Sequence, residues 1–388
     1  MFSKRTNWNL QSNRISIALA ALRAAGKPPV DLTISNPTEC GFQYDEAAIL
    51  RSLQDPSSLK YEPDPRGLVS ARNAVSQYYA EQGARVSPED IFLTTSTSEA
   101  YSFIFRTLCD PGDEILIPEP SYPLFEFLAE IQDVRLVRYP LVYDYGWQIE
   151  FQALEQAATP RTRAVIVVNP NNPTGNYCEP REQAALHQFA AARSLAIVAD
   201  EVFLDFSLQG TRQSTFAGSS GALTFTLGGI SKICGLPQMK VAWLSVSGPE
   251  PSKKQSMQRL EVIADTYLSM NAPVQLALPK FLSGRHTFQD QLLLRMKMNL
   301  AELDSQLSGQ NSCTRLIVEG GWNAVIRVAA TQSDEDLVLD LLSGQGIYAH
   351  PGHFYDFPPT GYLVVSLLTP NEEFFNGIQL LLSQFSST

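Results

Sequence analysis

Five short stretches carry side chains that can do more than pack. The first is Gly228-Gly229-Ile230-Ser231-Lys232, which follows an apolar run ending at Leu227 and precedes a Gly235-Leu236-Pro237 turn and a second apolar run. A lysine on a tight connection between two core strands is either a surface loop residue or an amine held in a cleft. In a cleft it can form a Schiff base with an aldehyde cofactor. In the second stretch, Val198-Ala199-Asp200-Glu201, an acid ends a fully apolar run. Buried there, Asp200 needs a cationic or hydrogen-bonding partner such as a protonated pyridine nitrogen, unless it simply caps a loop or helix. The third, Thr94-Thr95-Ser96-Thr97-Ser98-Glu99-Ala100, places hydroxyls between a strand and a helix. That is the chemistry of an anion site at a helix N-terminus and also of an ordinary N-cap. The fourth, Pro118-Glu119-Pro120-Ser121-Tyr122, presents an aromatic ring that can stack on a planar ligand or join the core. The fifth, Asn169-Pro170-Asn171-Asn172-Pro173-Thr174-Gly175, is a loop stiffened by two prolines and a glycine, fit to aim Asn172 as a donor.

These stretches need elements to hold them, and the hydropathy pattern supplies a regular set. Apolar runs at Ile91–Thr95, Glu114–Ile117, Val134–Tyr139, Ala164–Asn169, Leu195–Asp200, Ala222–Leu227 and Val241–Val246 predict seven strands. Helix-length segments, Ser98–Cys109, Tyr122–Gln132 and Glu179–Ser194, separate several of them, and an apolar face of Leu68, Ala71, Val75 and Tyr78 or Tyr79 predicts another before the first strand. The expected fold class is α/β: a large domain with a mostly parallel seven-stranded sheet covered by helices, plus a smaller α+β domain. In such sheets ligands bind beyond the carboxyl ends of the strands, where Asn172, Asp200 and the residues after Thr94 fall. The N-terminal helix Ile15–Ala25 and the extended piece ending at Ser35 precede the large domain. After about residue 270 a long helix, Asp290–Leu307, leads to strands at Arg315–Val318 and Asn323–Val328. A helix at Glu335–Ser343, a strand at Tyr362–Leu368 and a last helix close the chain. The expected division is 1–45, an N-terminal arm and part of the small domain; 46–270, the large domain; and 271–388, the small C-terminal domain.

With 388 residues, two structural units are expected rather than one core. A net charge of −11 disfavours a nucleic-acid or anionic-membrane surface, so any phosphate should be bound in a local pocket. Cys40, Cys109, Cys178, Cys234 and Cys313 are odd in number and scattered, with neither C-x-x-C nor a metal-ligand spacing, which reads as reduced thiols and no metal site. Met1-Phe2-Ser3-Lys4-Arg5 lacks the apolar run of a signal peptide, and no stretch reaches membrane-spanning length, so a cytoplasmic location is expected.

Taken in order, Tyr61 in a Pro/Gly loop, Thr95–Ser98-Glu-Ala, Pro118-x-Pro-Ser-Tyr122, Asn-Pro-Asn-Asn172-Pro-Thr-Gly, Asp200-Glu-Val and Ser231-Lys232 resemble the class I/II aminotransferases of the fold-type I pyridoxal-phosphate enzymes. The resemblance covers nearly the whole chain and is strongest from residue 60 to 245. It implies an aminotransferase moving an amino group between an amino acid or related amine and a keto acid. Lys232 would hold pyridoxal 5'-phosphate as an internal aldimine and shuttle the proton at Cα, and Asp200 would keep the pyridine nitrogen protonated. Asn172 would donate to the ring oxygen, and Tyr122 would stack on the ring. Thr95, Ser96, Thr97, Ser231 and Lys240 would surround the phosphate, joined by Tyr61 from the partner subunit. A homodimer with shared active sites follows.

The chain also departs from that family's pattern. Phe203 stands where family members usually carry Tyr, so fewer donors offset the ring oxygen's charge and the Schiff base should be more basic. Lys240 replaces an Arg and so loses its bidentate fork, Ser96 replaces a Gly, and Gly229 stands where a hydroxyl is common. Val364 occupies the position of the Arg that forks onto the substrate carboxylate. Candidates to face the substrate instead are Ser35, His353 and Arg327, with Arg285, Arg14 and His350 as further possibilities. The Tyr348–Tyr355 loop is favoured, since by resemblance it borders the substrate. The missing Arg leaves a second reading open, a fold-type I lyase that eliminates at a C–S bond with the same Lys, Asp and Asn. A non-catalytic regulatory protein finds no added DNA-binding module here, and a nicotinamide dehydrogenase finds no G-x-G-x-x-G after a strand.

Overall fold

The seven apolar runs pair into one sheet in the computed structural model, which describes residues 1–210, 213–268 and 270–385. In chain order its strands are β1 (Ile91–Thr94), β2 (Glu114–Glu119), β3 (Arg135–Tyr143), β4 (Trp147–Ile149), β5 (Thr162–Val168), β6 (Ala196–Asp200), β7 (Thr224–Gly229) and β8 (Ala242–Ser247). They lie side by side in the order β1-β8-β7-β6-β5-β2-β3-β4. The five strands from β7 to β3 run parallel, while β8 is antiparallel to both neighbours. The sheet has one strand more than the seven expected. β4 folds back on β3 as a hairpin across Tyr145 and Gly146, and its three residues are too few to register as an apolar run.

Strand parity divides the core between the two faces. Ile166, Val168, Ala196, Val198, Phe225 and Leu227 point to one side, beneath the helices Thr97–Leu108 and Glu250–Tyr267. Val165, Val167, Ile197 and Ala199 point to the other, where the helix Pro180–Arg193 covers them with Leu186, Phe189 and Ala190. With both faces covered, β1, β6, β7 and β8 are buried along their whole length, which is why they read as unbroken apolar runs. Two helices are absent from the hydropathy pattern. Glu250–Tyr267 buries only Ser256, Met257, Leu260 and Ala264 among eighteen residues, and Ala272–Ser283 contains Pro279, which reads as a break.

The C-terminal part builds an antiparallel sheet of β9 (Thr314–Arg315), β10 (Asn323–Arg327), β11 (His350–Pro351) and β12 (Tyr362–Ser366), ordered β9-β10-β12-β11. The long helix starts at Arg285, earlier than expected, and runs to Ser308. The strand expected at Arg315–Val318 is only two residues long, because the chain leaves the sheet after Arg315. The N-terminal segment belongs here too: Val30–Asp31 pairs with Ile347–Tyr348, and Ile15, Leu19 and Leu32 share a core with Leu292, Met296, Leu363 and Ile378. Among the described residues no helix is long and apolar enough to cross a membrane.

Candidate active site

A cavity of about 220 Å³ opens where the carboxyl ends of β5, β6 and β7 meet the small sheet. Lys232 enters it from a single helical turn, Ile230–Ile233, that begins on Gly229. The buried side chains of Ile230 and Ile233 and a hydrogen bond from the Ile230 N–H to the Val241 carbonyl (3.0 Å) pin that turn, so Ser231 and Lys232 line the cavity. The lysine Nζ lies 4.7 Å from the centre of the Trp322 ring and 5.7 Å from that of Phe203. Burial among these rings lowers its pKa, opposed by the charge of Asp200. The amine is thereby biased toward its neutral, nucleophilic form.

Asp200 follows from the parity of β6. It shares a face with Ala196 and Val198 and so lies under the helix Thr97–Leu108, whose Tyr101 hydroxyl donates to its Oδ2 at 3.0 Å. The Val202 N–H donates to Oδ1 at 3.2 Å. Burial pushes the acid up to about 6, with those two donors and Lys232 pulling the other way. An acid in this position gains from a further N–H⁺ partner, because its charge is otherwise paid for by desolvation. Glu201, next along, faces away into a separate network. It accepts from the Phe216 N–H (2.8 Å), the Thr215 hydroxyl (2.5 Å) and the Asn169 amide (3.4 Å), and burial raises it to about 7.

The Asn169–Gly175 loop is cross-braced. The Asn171 amide donates to the Pro120 carbonyl and the Thr174 hydroxyl, and the Gly175 N–H to the Asn171 carbonyl. This brings Asn172 to the cavity wall, where the Asn323 Nδ2 donates to its Oδ1 at 2.8 Å. The Asn172 Nδ2 is then the donor that remains for a ligand. At another wall Ser96, Thr97, Ser98 and Ser231 bring hydroxyls around the start of the helix Thr97–Leu108. Ser96 caps that helix by accepting from the Glu99 N–H at 3.1 Å, while the N–H groups of the first turn have no partner within the helix.

Of the residues singled out in the sequence, Lys232, Asp200, Asn172, Tyr122, Phe203, Ser96, Thr97, Ser98, Ser231, Ser35 and His350 line this one cavity. The others lie elsewhere. Thr95 turns its hydroxyl and its N–H to the Glu99 carboxylate, Lys240 is exposed with φ of +55°, and Tyr61 is 78% exposed. Arg327 is exposed at the end of β10, and His353 sits outside the wall, next to Phe354. Arg14 pairs with Glu335 and Asp336, and Arg285 with Glu81. The wall also includes residues the motifs did not single out, among them Thr33, Trp322, Asn323 and Tyr355. Tyr101 was missed as well, although its spacing of four residues after Thr97 on a helix already placed it one turn beneath the hydroxyl cluster.

A nucleophilic amine and a proton-holding acid, converging from the ends of neighbouring parallel strands, place the molecule among fold-type I enzymes. Solved structures share the fold over the whole chain. Alanine aminotransferase from Pyrococcus furiosus superposes with a TM-score of 0.91 at 22% identity, covering 100% of both chains. An Escherichia coli aminotransferase gives 0.87 at 24%, covering 100% of this chain and 98% of the other. The pattern of the aminotransferase class I and II family matches residues 29–373, and the chain belongs to that family. Its relatives include the glutamate-pyruvate aminotransferase AlaA of Escherichia coli K12, 26% identical over 377 residues (94% of this chain, 91% of the relative). An alanine aminotransferase of Mycobacterium bovis is 28% identical over 356 residues, covering 89% and 82%. The chain is an aminotransferase, a class of enzyme that depends on pyridoxal phosphate and works on amino and keto acids.

Proposed function

We propose that the cavity around Lys232 binds pyridoxal 5'-phosphate and transfers an amino group from an amino-acid donor to a keto-acid acceptor. The observation that carries this reading is that Lys232 and Asp200 share one cavity, the amine lowered and the acid raised toward neutrality by burial. The remaining walls suit the cofactor. The hydroxyls of Ser96, Thr97, Ser98 and Ser231 at a twelve-residue helix's N-terminus suit a phosphate, and Tyr122 offers a ring face. Asp200 suits a pyridine N–H⁺, and Asn172 a ring oxygen. The bound cofactor would supply the sink for the electron pair left on the substrate's Cα when a proton is removed. Lys232 would be the base for that proton, its Nζ lining the cavity and its pKa lowered by burial. Asp200 would pair with the protonated ring nitrogen, and Tyr101 fixes the carboxylate's orientation. Trp322 and Phe203 exclude water from the amine.

Lys240 and Thr95 remain candidates for the phosphate's outer contacts, Arg327 and His353 for substrate contacts at the rim. Tyr61, exposed on its loop, is a candidate to reach a partner subunit's phosphate in a homodimer, supported by the apolar surface that Leu124, Phe127 and Ile131 expose on one helix, of which Leu124 lines the cavity. A cytoplasmic location is part of this proposal, supported by five cysteines that form no disulfide. So is the division at 1–45, 46–270 and 271–388, supported by the core that joins Ile15, Leu19 and Leu32 to the C-terminal unit. Purified protein loaded with the cofactor should show a visible absorbance band that Lys232→Ala removes together with turnover. Incubation with an amino acid should yield the keto acid and the aminated cofactor. Turnover retained in Lys232→Ala overturns the assignment, and pyruvate with free ammonia would mark an eliminating lyase instead.

A further inference from the structure

Part of the cavity lining is built by parts of the chain far apart in sequence. Thr33 and Ser35 come from the N-terminal segment, Asn323 from the start of β10, and His350 and Tyr355 from β11 and the turn after it. The segment is tied to the small sheet: the Ser366 N–H donates to the Leu32 carbonyl and the Ser366 hydroxyl to that of Ile34. Among the described lining residues only Lys232 and His350 carry a basic nitrogen in their side chains. Lys232 is committed to the reacting amino group, so the acid end of an amino or keto acid meets His350.

The imidazole is held for that purpose. Its Nδ1 lies 2.9 Å from the Tyr355 hydroxyl, and the edges of Tyr348 and Phe354 flank its ring. Tyr355 is buried, and its carbonyl accepts from the Ser121 N–H at 2.9 Å, which anchors it to the turn carrying Tyr122. Burial raises the Tyr355 pKa, so the phenol keeps its proton and donates it to Nδ1. A neutral imidazole that accepts at Nδ1 carries its own proton on Nε2. Burial holds His350 down to about 4, against the opposing charge of Asp31, so the neutral form prevails. Across β12 the position opposite His350 is Val364, buried among Val325, Leu316 and Phe357, so no charged group from that strand competes for the same oxygen.

We propose that His350, oriented by Tyr355, receives the substrate's carboxylate through its Nε2–H and is the residue that selects an acid over its neutral counterpart. The inference rests on the cavity being the cofactor and substrate site. It deepens that reading by naming how the acid end is recognised: one neutral N–H donor to one carboxylate oxygen, assisted by Ser35 or Asn323, in place of a guanidinium fork. His350 is then a specificity residue and Tyr355 a positioning residue.

The test uses the cofactor-loaded protein titrated with L-alanine and with L-alaninol, which share the amine and methyl group and differ only in carboxylate against hydroxymethyl. The readout is the dissociation constant from the change in the cofactor's absorbance. His350→Phe should weaken L-alanine about tenfold or more, the loss of one hydrogen bond to a charged group, and leave L-alaninol within about twofold. His350→Gln, which keeps an N–H donor at similar reach, should recover much of the L-alanine affinity. Tyr355→Phe should fall between, because Nδ1 can then carry the proton. Parallel weakening of both ligands in His350→Phe would show a packing role and overturn the proposal, as would unchanged L-alanine affinity or a wild type that does not respond to L-alanine. A wild type with no absorbance band dependent on Lys232 would overturn the cavity reading itself, a result distinct from loss of selectivity in a protein that keeps the band.

Discussion

Glu201 should make the folded protein less stable as pH rises, and Glu201→Gln should remove that dependence. The carboxyl is buried, and burial, with the neighbouring charge of Asp200 adding to it, lifts it from an ordinary 4.5 to about 7 despite three donors. A carboxyl raised on folding stabilises fully below its unfolded pKa, and that contribution is lost as pH climbs through the folded value. With those two values the loss between about pH 5 and about pH 8 is about 2.5 kcal/mol. Glutamine keeps the acceptor for the Phe216 N–H and turns an amide toward the Thr215 hydroxyl, which can accept as well as donate. At about pH 5 the variant should therefore lie within about 1 kcal/mol of wild type, the scale of one exchanged hydrogen bond. At about pH 8 it should be more stable than wild type, by about 1.5–2.5 kcal/mol. Equilibrium denaturation of the cofactor-free protein at both pH values gives the difference directly. Asp200 titrates in both proteins, so most of its own contribution cancels. A stability difference that does not change with pH would show that Glu201 is not ionising in the folded state in this window, and the burial reasoning would fail.

Two further substitutions probe the loop and the amide that meet at Asn172. Asn323→Leu removes the donor that fixes the Asn172 carboxamide, and should weaken cofactor retention about fivefold, equivalent to about 1 kcal/mol, with little change in global stability. Equilibrium dialysis of the cofactor reads this, and an unchanged dissociation constant would mean that Asn172 is oriented without Asn323. Gly175→Ala puts a side chain at φ of +75°, with its Cβ 2.4 Å from the Gly320 carbonyl oxygen and from Val318. Because a backbone oxygen cannot step aside as a side chain does, this should cost more than about 2 kcal/mol, read as a lower denaturation midpoint. A variant as stable as wild type would show that the two loops can separate without loss.

The large unit was legible in the sequence because its strands are covered on both faces. Unbroken apolar runs such as Ala196–Asp200 and Ala242–Ser247 announce themselves by composition alone. Elements that rest on a core with a narrow edge do not. Glu250–Tyr267 buries four side chains in eighteen residues, and Ala272–Ser283 hides a helix behind Pro279 because its neighbours supply the packing that propensity does not. β11 is two residues long and exists only because Val364 and Leu363 lie opposite it. None of these could be found from local pattern, since what stabilises them lies elsewhere in the chain.

The same physics separates the two parts of the site. Asp200, Asn172 and Lys232 stand at or just after the ends of β6, β5 and β7, so a correct strand assignment already brings them together. The part proposed to receive the acid end is assembled from residues 33–35, 322–323 and 350–355, whose adjacency depends on Val30–Asp31 pairing with Ile347–Tyr348 and on β10 and β11 both flanking β12. A substitution at Val364 therefore touches neither Lys232 nor Asp200, yet it lies opposite His350 in the ladder. That is why motifs single out the strand-end residues directly, whereas the sequence offers His350 only as one candidate in the favoured Tyr348–Tyr355 loop, and the ladder alone sets it opposite Val364.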